Sequence, residues 1–401
     1  MLDDIFSIHE SVVQDVPLSP RRYLYDTIQW DSRAICILGP RGVGKTTMLL
    51  QYYHEVFGDV DRCLYLSADN IHVTSSGLFA TVQEYFRLGG EAVIIDEVHK
   101  YPDWSVEVKN ILDTYKRKRI FLSGSSSLEL ARSKGDLSRR VVYYHLGGLS
   151  FREYLLFDLG VAIPAVSLEA LLESHRTLSA RLEEAGIALK HFREYLKHGF
   201  YPFFLEGKEE YSAKLHNVIE KVLYQDMAVV YGLRQPKIPV LKKLLWVIAT
   251  SQPFVPNIDR LSRDLKTSKE YIYNYLEALE TAGLTSGIPP AGKGLKMVRK
   301  SGKIFLENTN LAHAITGALK LETDQGSIRE TFFANQLRAR HRVTTSTTGD
   351  FLMDDSYVFE VGGKNKTTEQ IRGIEDAWLA CEGIDMGHGR RIPLHLFGFL
   401  Y

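Results

Sequence analysis

Five short apolar runs punctuate the first part of the chain: Ala34–Leu38, Cys63–Ser67, Ala92–Asp96, Arg119–Ser123 and Val141–His145. Each is almost continuously apolar, as expected of strands covered on both faces. Stretches of helical length separate them. The alternation predicts an α/β domain with a largely parallel sheet.

From Ser150 the apolar residues recur at the three-to-four spacing of helices, over Phe151–Phe157, Leu168–Glu184, Leu189–Lys197 and Tyr211–Val230. Gly199, Phe200, Tyr201 and Pro202 interrupt this region. A smaller unit follows. Ile258–Leu265 and Glu270–Ala282 predict helix, turn and helix, with Ile272, Leu276 and Leu279 as the buried face. Gly292, Lys293 and Gly294 suit a hairpin wing. The last segment predicts a helix over Ile328–Arg338, strands over Asp350–Met353 and Tyr357–Val361, a helix over Thr368–Cys381 and a strand over Pro393–Tyr401. The expected domains are 1–149, 150–236, 237–320 and 321–401.

The 401 residues carry 49 Lys+Arg and 49 Asp+Glu, so any nucleic-acid contact must come from a local patch. Hydrophobic residues at 45% and charged residues at 24% are those of ordinary globular protein, which argues against disorder. The cysteines are Cys36, Cys63 and Cys381, an odd number at wide spacing. Neither a disulfide framework nor a zinc cluster is indicated. No basic-then-apolar leader opens the sequence, and no apolar run approaches the ~20 residues that span a bilayer. The expectation is a cytosolic protein with no membrane partner.

Gly39, Pro40, Arg41, Gly42, Val43, Gly44, Lys45, Thr46 and Thr47 contain G-x-x-x-x-G-K-[ST] between a strand and a helix. The glycines let backbone N–H groups curl around phosphates, and the helix N-terminus adds its positive end. Lys45 would reach the β and γ phosphates, and Thr46 would ligate Mg²⁺. The run Ala92–Ile95 delivers Asp96 to the sheet edge where ligands sit. Asp96 would hold Mg²⁺, and Glu97 would orient or deprotonate the attacking water. The strand Arg119–Ser123 ends in Ser123, Gly124, Ser125, Ser126 and Ser127. A serine there, Ser123 first among them, could sense the γ-phosphate; a plain turn is the alternative. Arg139 and Arg140 precede the fifth strand. Arg140 is the candidate finger onto a neighbouring subunit's nucleotide, with a surface charge pair as the alternative.

Ile37–Leu149 resembles an AAA-type P-loop ATPase of the bacterial and archaeal branch in which that module precedes a C-terminal domain of unknown function. The matching residues are Gly39–Thr47, Ile94–Lys100 with Tyr101 and Pro102, Ser123–Ser127, and Leu149–Glu153. Gly199–Pro202, Arg329–Phe333 and Phe359–Lys366 extend the resemblance along essentially the whole chain. It implies a nucleotide-binding sheet, a winged-helix unit and a restriction-endonuclease-like terminal domain.

Between Asp259 and Lys303 nine basic residues outnumber five acidic ones. The wing carries Lys293, Lys296, Arg299, Lys300 and Lys303. Glu270, Glu277 and Glu280 on the second helix would repel phosphates, so backbone contact by the wing fits better than base reading. A purely structural or protein-binding unit is the alternative. In the terminal domain, Glu330, Asp350, Glu360 and Lys364 resemble a nuclease metal site, with Gln370 on the following helix. Active sites of that type place glutamate and lysine two apart on one strand face. Here Gly362 and Gly363 intervene, which favours a non-cutting domain.

The resulting expectation is ATP binding and Mg²⁺-dependent hydrolysis that drives or gates conformational change of C-terminal interaction domains, in a possible homo-oligomer. The alternatives are an ATP-gated metal-dependent nuclease and a slow nucleotide-dependent binding switch.

Overall fold

The computed structural model describes residues 2–124, 137, 139–227, 237–251, 254–292 and 302–401. Ser125, Ser126, Ser127 and the wing residues Lys293, Lys296, Arg299 and Lys300 lie outside them. The chain divides into two units, Met1–Gly148 and Leu149–Tyr401.

The first unit is built on five parallel strands: β1 (Ala34–Leu38), β2 (Cys63–Ser67), β3 (Ala92–Asp96), β4 (Arg119–Gly124) and β5 (Val142–His145). Their order is β2-β3-β4-β1-β5. Every residue of β1 and β3 is buried, which is why these strands read as unbroken apolar runs. Burying each Ile, Leu or Val contributes roughly 1.5–3 kcal/mol. Helix α1 (Leu2–Gln14) buries Leu2, Ile5 and Val13, and α2 (Lys45–Val56) follows β1. Helices α3 (Ile71–Ser76), α4 (Leu78–Arg87) and α5 (Trp104–Thr114) complete the unit. The order inserts β4 between β1 and β3, so three strand ends converge on one edge.

The second unit begins with α6 (Phe151–Leu159), α7 (Leu168–Glu184), α8 (Leu189–His198) and α9 (Tyr211–Lys221). The α9 spiral then widens into a π-helical turn at Val222–Asp226. The expected continuation to Val230 runs outside the described residues. Asn310, 1% exposed, explains the Gly199–Pro202 interruption. Its Oδ1 accepts from the Phe200 amide at 2.7 Å and the Tyr211 hydroxyl at 2.5 Å. Its Nδ2 donates to the carbonyls of Tyr195 and Leu196 at 3.0 and 2.8 Å. A Cβ on Gly199 would come within 2.3 Å of the Tyr195 ring, so only glycine fits at that helix end.

Helices α10 (Ile238–Thr250), α11 (Ile258–Asp264) and α12 (Lys269–Thr281) follow, then the antiparallel pair β6 (Thr285–Ile288) and β7 (Lys303–Leu306). Asn257 and Ser268 cap α11 and α12 with side-chain oxygens. The buried face of α12 is Ile272, Tyr275, Ala278 and Leu279. Leu276, expected there, is only partly covered. After α13 (Thr309–Ala318) and α14 (Gln325–Arg338) comes a second sheet: β8 (Val343–Thr345), β9 (Phe351–Met353), β10 (Tyr357–Gly362), β11 (Ala377–Cys381) and β12 (Arg391–Pro393). β8, β9 and β10 form an antiparallel meander, and β11 and β12 add in parallel.

Two expectations fail in this sheet. Thr368–Cys381 is not a helix. It holds one 3₁₀ turn at Glu369–Ile371 and then β11, whose Ala377, Leu379, Ala380 and Cys381 are all fully buried. Strand pairing with β10 and β12 overrides a short apolar run that periodicity cannot resolve. Pro393–Tyr401 is likewise not a strand, because β12 ends at Pro393 and a 3₁₀ stretch covers Leu394–Phe399. Its Phe397 packs on Phe333 and Phe359, at ring distances of 4.9 and 5.6 Å.

Candidate functional site

The loop Gly39–Gly44 leaves the buried end of β1 and enters α2. Gly42 and Gly44 adopt φ of 84° and 93°, left-handed values that favour glycine. A Cβ on Gly39 would sit 2.1 Å from the Leu146 carbonyl oxygen, so the loop passes close against the chain beyond β5. Arg22, 4% exposed, braces it from below. The guanidinium donates to the Val43 carbonyl and to the Gly147 and Gly148 carbonyls, the last two at 2.9 Å. Nothing in the local pattern around Arg22 marks it, because its partners lie far along the sequence.

Lys45 is buried and donates to the carbonyls of Gly39 and Pro40, at 3.0 and 2.8 Å. Thr46 donates its hydroxyl to Asp96 Oδ2 at 2.9 Å. Ser123, at the end of β4, donates to Asp96 Oδ1 and accepts from the Glu97 amide at 3.1 Å. Tyr65, midway along β2, donates to Asp96 Oδ2 at 3.1 Å. Burial first and the Asp96 charge second push the Tyr65 hydroxyl well up, so it stays protonated and a donor. Tyr65 carries no local signal of this role, because its apolar run reads simply as strand. The pair Thr46 and Asp96 is an all-oxygen donor set, which fits a hard divalent cation.

Glu97 follows β3 with φ of 51°, a strained value for a non-glycine residue. Its carboxylate lies beside two cations, Lys100 at 3.4 Å and Arg41 at 3.8 Å, with the His99 ring also at 3.8 Å. Burial would raise its pKa, but Lys45, His99, Lys100 and Arg41 together hold it below the usual carboxylate range. Glu97 is therefore ionised at neutral pH. His99 is pushed down to about 4, mainly by burial, and is neutral there.

Residues 31–155 match the family model of an AAA domain. The match supports a P-loop ATPase and ATP binding in general, and it spans the loop, Asp96, Glu97 and Ser123. A second family model, described as a domain of unknown function (DUF8612), matches residues 189–322. The chain is 29% identical over 393 residues to an uncharacterized protein of Methanocaldococcus jannaschii, covering 90% of this chain and 82% of that one. AMPPCP-bound DnaA from Aquifex aeolicus is similar over 69% of this chain and 88% of that chain, at 14% identity and a TM-score of 0.28. A replication initiator DnaA bound to AMPPCP and single-stranded DNA covers 69% and 86%, at 14% identity and a TM-score of 0.32. Likenesses this weak carry no argument.

Arg140, the candidate finger, makes a two-pronged ion pair with Asp113 of α5 within its own domain, at 2.8 and 3.1 Å. Arg139 beside it is exposed. Gly39–Thr47, Asp96, Glu97 and Ser123 come together at one sheet edge, whereas Arg140 is committed to Asp113.

In the second unit Glu330, Asp350 and Glu360 do come together, but with different lysines. Lys303 of β7 lies 3.0 Å from Glu330 and 3.5 Å from Asp350. Lys366, not Lys364, sits 2.5 Å from Glu360. A Cβ on Gly362 would lie 2.6 Å from the Lys366 side chain, so that glycine lets Lys366 fold back over the strand end. Lys364 is exposed, and its backbone carbonyl accepts from Arg391 at 2.8 Å. Gln370 is exposed on the 3₁₀ turn. Burial is the main force raising the pKa values of Glu330 and Glu360. With two ammonium groups already among the three carboxylates, the residues do not fit a divalent ion.

No helix among the described residues is long and apolar enough to cross a membrane.

Proposed function

We propose that the AAA domain binds ATP with Mg²⁺, hydrolyses it, and uses the cycle to bias the C-terminal unit as an interaction module. The observation that carries this reading is the chain of contacts from Thr46 through Asp96 to Ser123 and the Glu97 amide, beside a glycine loop and a helix N-terminus. Thr46 and Asp96 would hold Mg²⁺, which when bound neutralises phosphate charge. Lys45 would exchange the Gly39 and Pro40 carbonyls for phosphate oxygens. The ionised Glu97 would take a proton from the attacking water, and Ser123 would fix the backbone from which Glu97 projects.

The C-terminal helix–turn–helix and hairpin support a winged-helix reading, with a protein partner or a nucleic-acid backbone as its target. A nuclease role is disfavoured by the Lys303 and Lys366 contacts. A trans role for Arg140 requires breaking its pair with Asp113. Exposed pairs of this kind are weak, so releasing Arg140 costs little.

Calorimetric titration with ATP tests the binding half. Wild-type protein should bind and Lys45→Ala should lose tight binding, since the variant removes the mobile cation of the cradle. Equal affinity in both would contradict the assignment.

A further inference from the structure

A cavity of about 520 Å³ opens in the second unit between α7, α8 and the chain around Asp385. Its size lies within the range of small-molecule sites. The walls are largely apolar, with Phe151, Leu182, Leu189, Phe192 and Met386 among them. Three features set it apart from a packing defect.

The first is Ser179, which lines the cavity at 4% exposure. Its hydroxyl is buried and has no hydrogen-bond partner among the described residues. An unsatisfied buried hydroxyl is destabilising, so a ligand able to pair with it is favoured.

The second is His395, 7% exposed, which also lines the cavity between the rings of Phe151 and Phe192, 6.4 and 5.8 Å away. Burial alone pushes its pKa down to about 4, so the imidazole is neutral and one ring nitrogen can accept a hydrogen bond.

The third is charge. Glu183 and Asp385 line the cavity from exposed positions, and no lysine or arginine does. Two carboxylates, aromatic faces and a neutral imidazole acceptor all favour a cation over an anion.

We propose that this cavity binds a small organic amine with an apolar body, the ammonium drawn by Glu183 and Asp385 and the body seated against Phe151 and Phe192. Ser179 and His395 supply the polar contacts within. The site is separate from the ATP assignment and stands or falls alone.

Ligand-observed saturation-transfer NMR on the full-length chain tests it with 2-phenylethylamine, 2-phenylethanol and phenylacetate. The three probes share a ring and differ in charge. The amine should bind at least about tenfold more tightly than the alcohol, the scale of one charged hydrogen bond, and the acid should not bind. Ser179→Leu, which fills the cavity with carbon, should remove the signal. The double variant Glu183→Gln, Asp385→Asn should bring the amine down to the level of the alcohol. Those two residues are exposed, so this variant should keep the wild-type melting temperature and decides the matter if Ser179→Leu fails to fold. No amine binding at millimolar concentration, equal binding of all three probes, or amine affinity unchanged in the double variant would overturn the proposal.

Discussion

Thr46 and Asp96 stand 2.9 Å apart, hydroxyl to carboxylate, although fifty residues separate them in sequence. The hydrogen bond joins the start of α2 to the end of β3, and Tyr65 and Ser123 donate to the same carboxylate. Asp96 is thus held by three hydroxyls from three elements.

Tyr65→Phe removes one of those donors without changing the ring. Asp96 keeps Thr46 and Ser123, so the fold should lose only about 1 kcal/mol, the net worth of one hydrogen bond. ATP turnover should fall a few-fold while nucleotide affinity stays near wild type. A melting curve and a steady-state hydrolysis assay on the same preparation check both. A loss of turnover as large as that of a missing general base would make Tyr65 part of the chemistry.

Asn310→Leu should be far more damaging. It strands the Phe200 amide and the Leu196 carbonyl and takes away the acceptor of the Tyr211 hydroxyl in the core of the second unit, while the Tyr195 carbonyl keeps the Gly199 amide. Each buried group left without a partner costs about 1–3 kcal/mol. Thermal unfolding should show a strongly lowered transition or none. A shift of only a degree or two would mean the network is replaceable.

Lys303→Met tests how the acidic cluster is neutralised. The cluster is partly buried, so removing the ammonium leaves the Glu330 and Asp350 charges uncompensated and should destabilise the fold. The melting temperature should fall in chelator and recover in part with Mn²⁺, which takes the vacated charge. Wild type should show no Mn²⁺ effect at this cluster and should not cut single-stranded, duplex or branched DNA. Cleavage by wild type that disappears in Asp350→Ala, Glu360→Ala would restore the nuclease alternative.

Acid should weaken the fold before the carboxylates titrate. His9, His99 and His395 are buried and each is held down to about 4. Burial is the leading cause in all three, with His54 adding to it at His9. Unfolded, they take up protons near pH 6.5 that the native protein refuses. Stability should therefore be full above pH 6.5 and decline as the pH falls toward 4, by on the order of 1 kcal/mol per histidine per pH unit. Denaturant melts from pH 7.5 to 5 measure the slope, and His9→Gln should reduce it. A flat profile would place these imidazoles in contact with water.

The nucleotide edge was legible because its residues are local in sequence: a glycine loop after one apolar run, and Asp96 and Glu97 after another. Tyr65 and Arg22 were not, since a tyrosine in a strand and an arginine in a loop look ordinary until distant elements close on them. The same limit applies at the second sheet. Glu330, Asp350 and Glu360 could be gathered from sequence, but their lysine partners could not. Lys303 arrives from another hairpin, and Lys366 reaches back only because Gly362 leaves room. β11 reads as the end of a helix in sequence because a five-residue apolar run carries no period of its own, and its neighbours β10 and β12 decide its conformation.

In the mechanism proposed, Glu97 activates water at a site where ATP binding is set by other residues. Glu97→Gln keeps the size of the side chain and removes its charge. The direct measurement is ATP affinity by calorimetry beside steady-state turnover for this variant and wild type. The variant should show unchanged or tighter binding and a turnover at least ~100-fold lower, the scale of a lost general base. Hydrolysis near the wild-type rate, with binding intact, would contradict it.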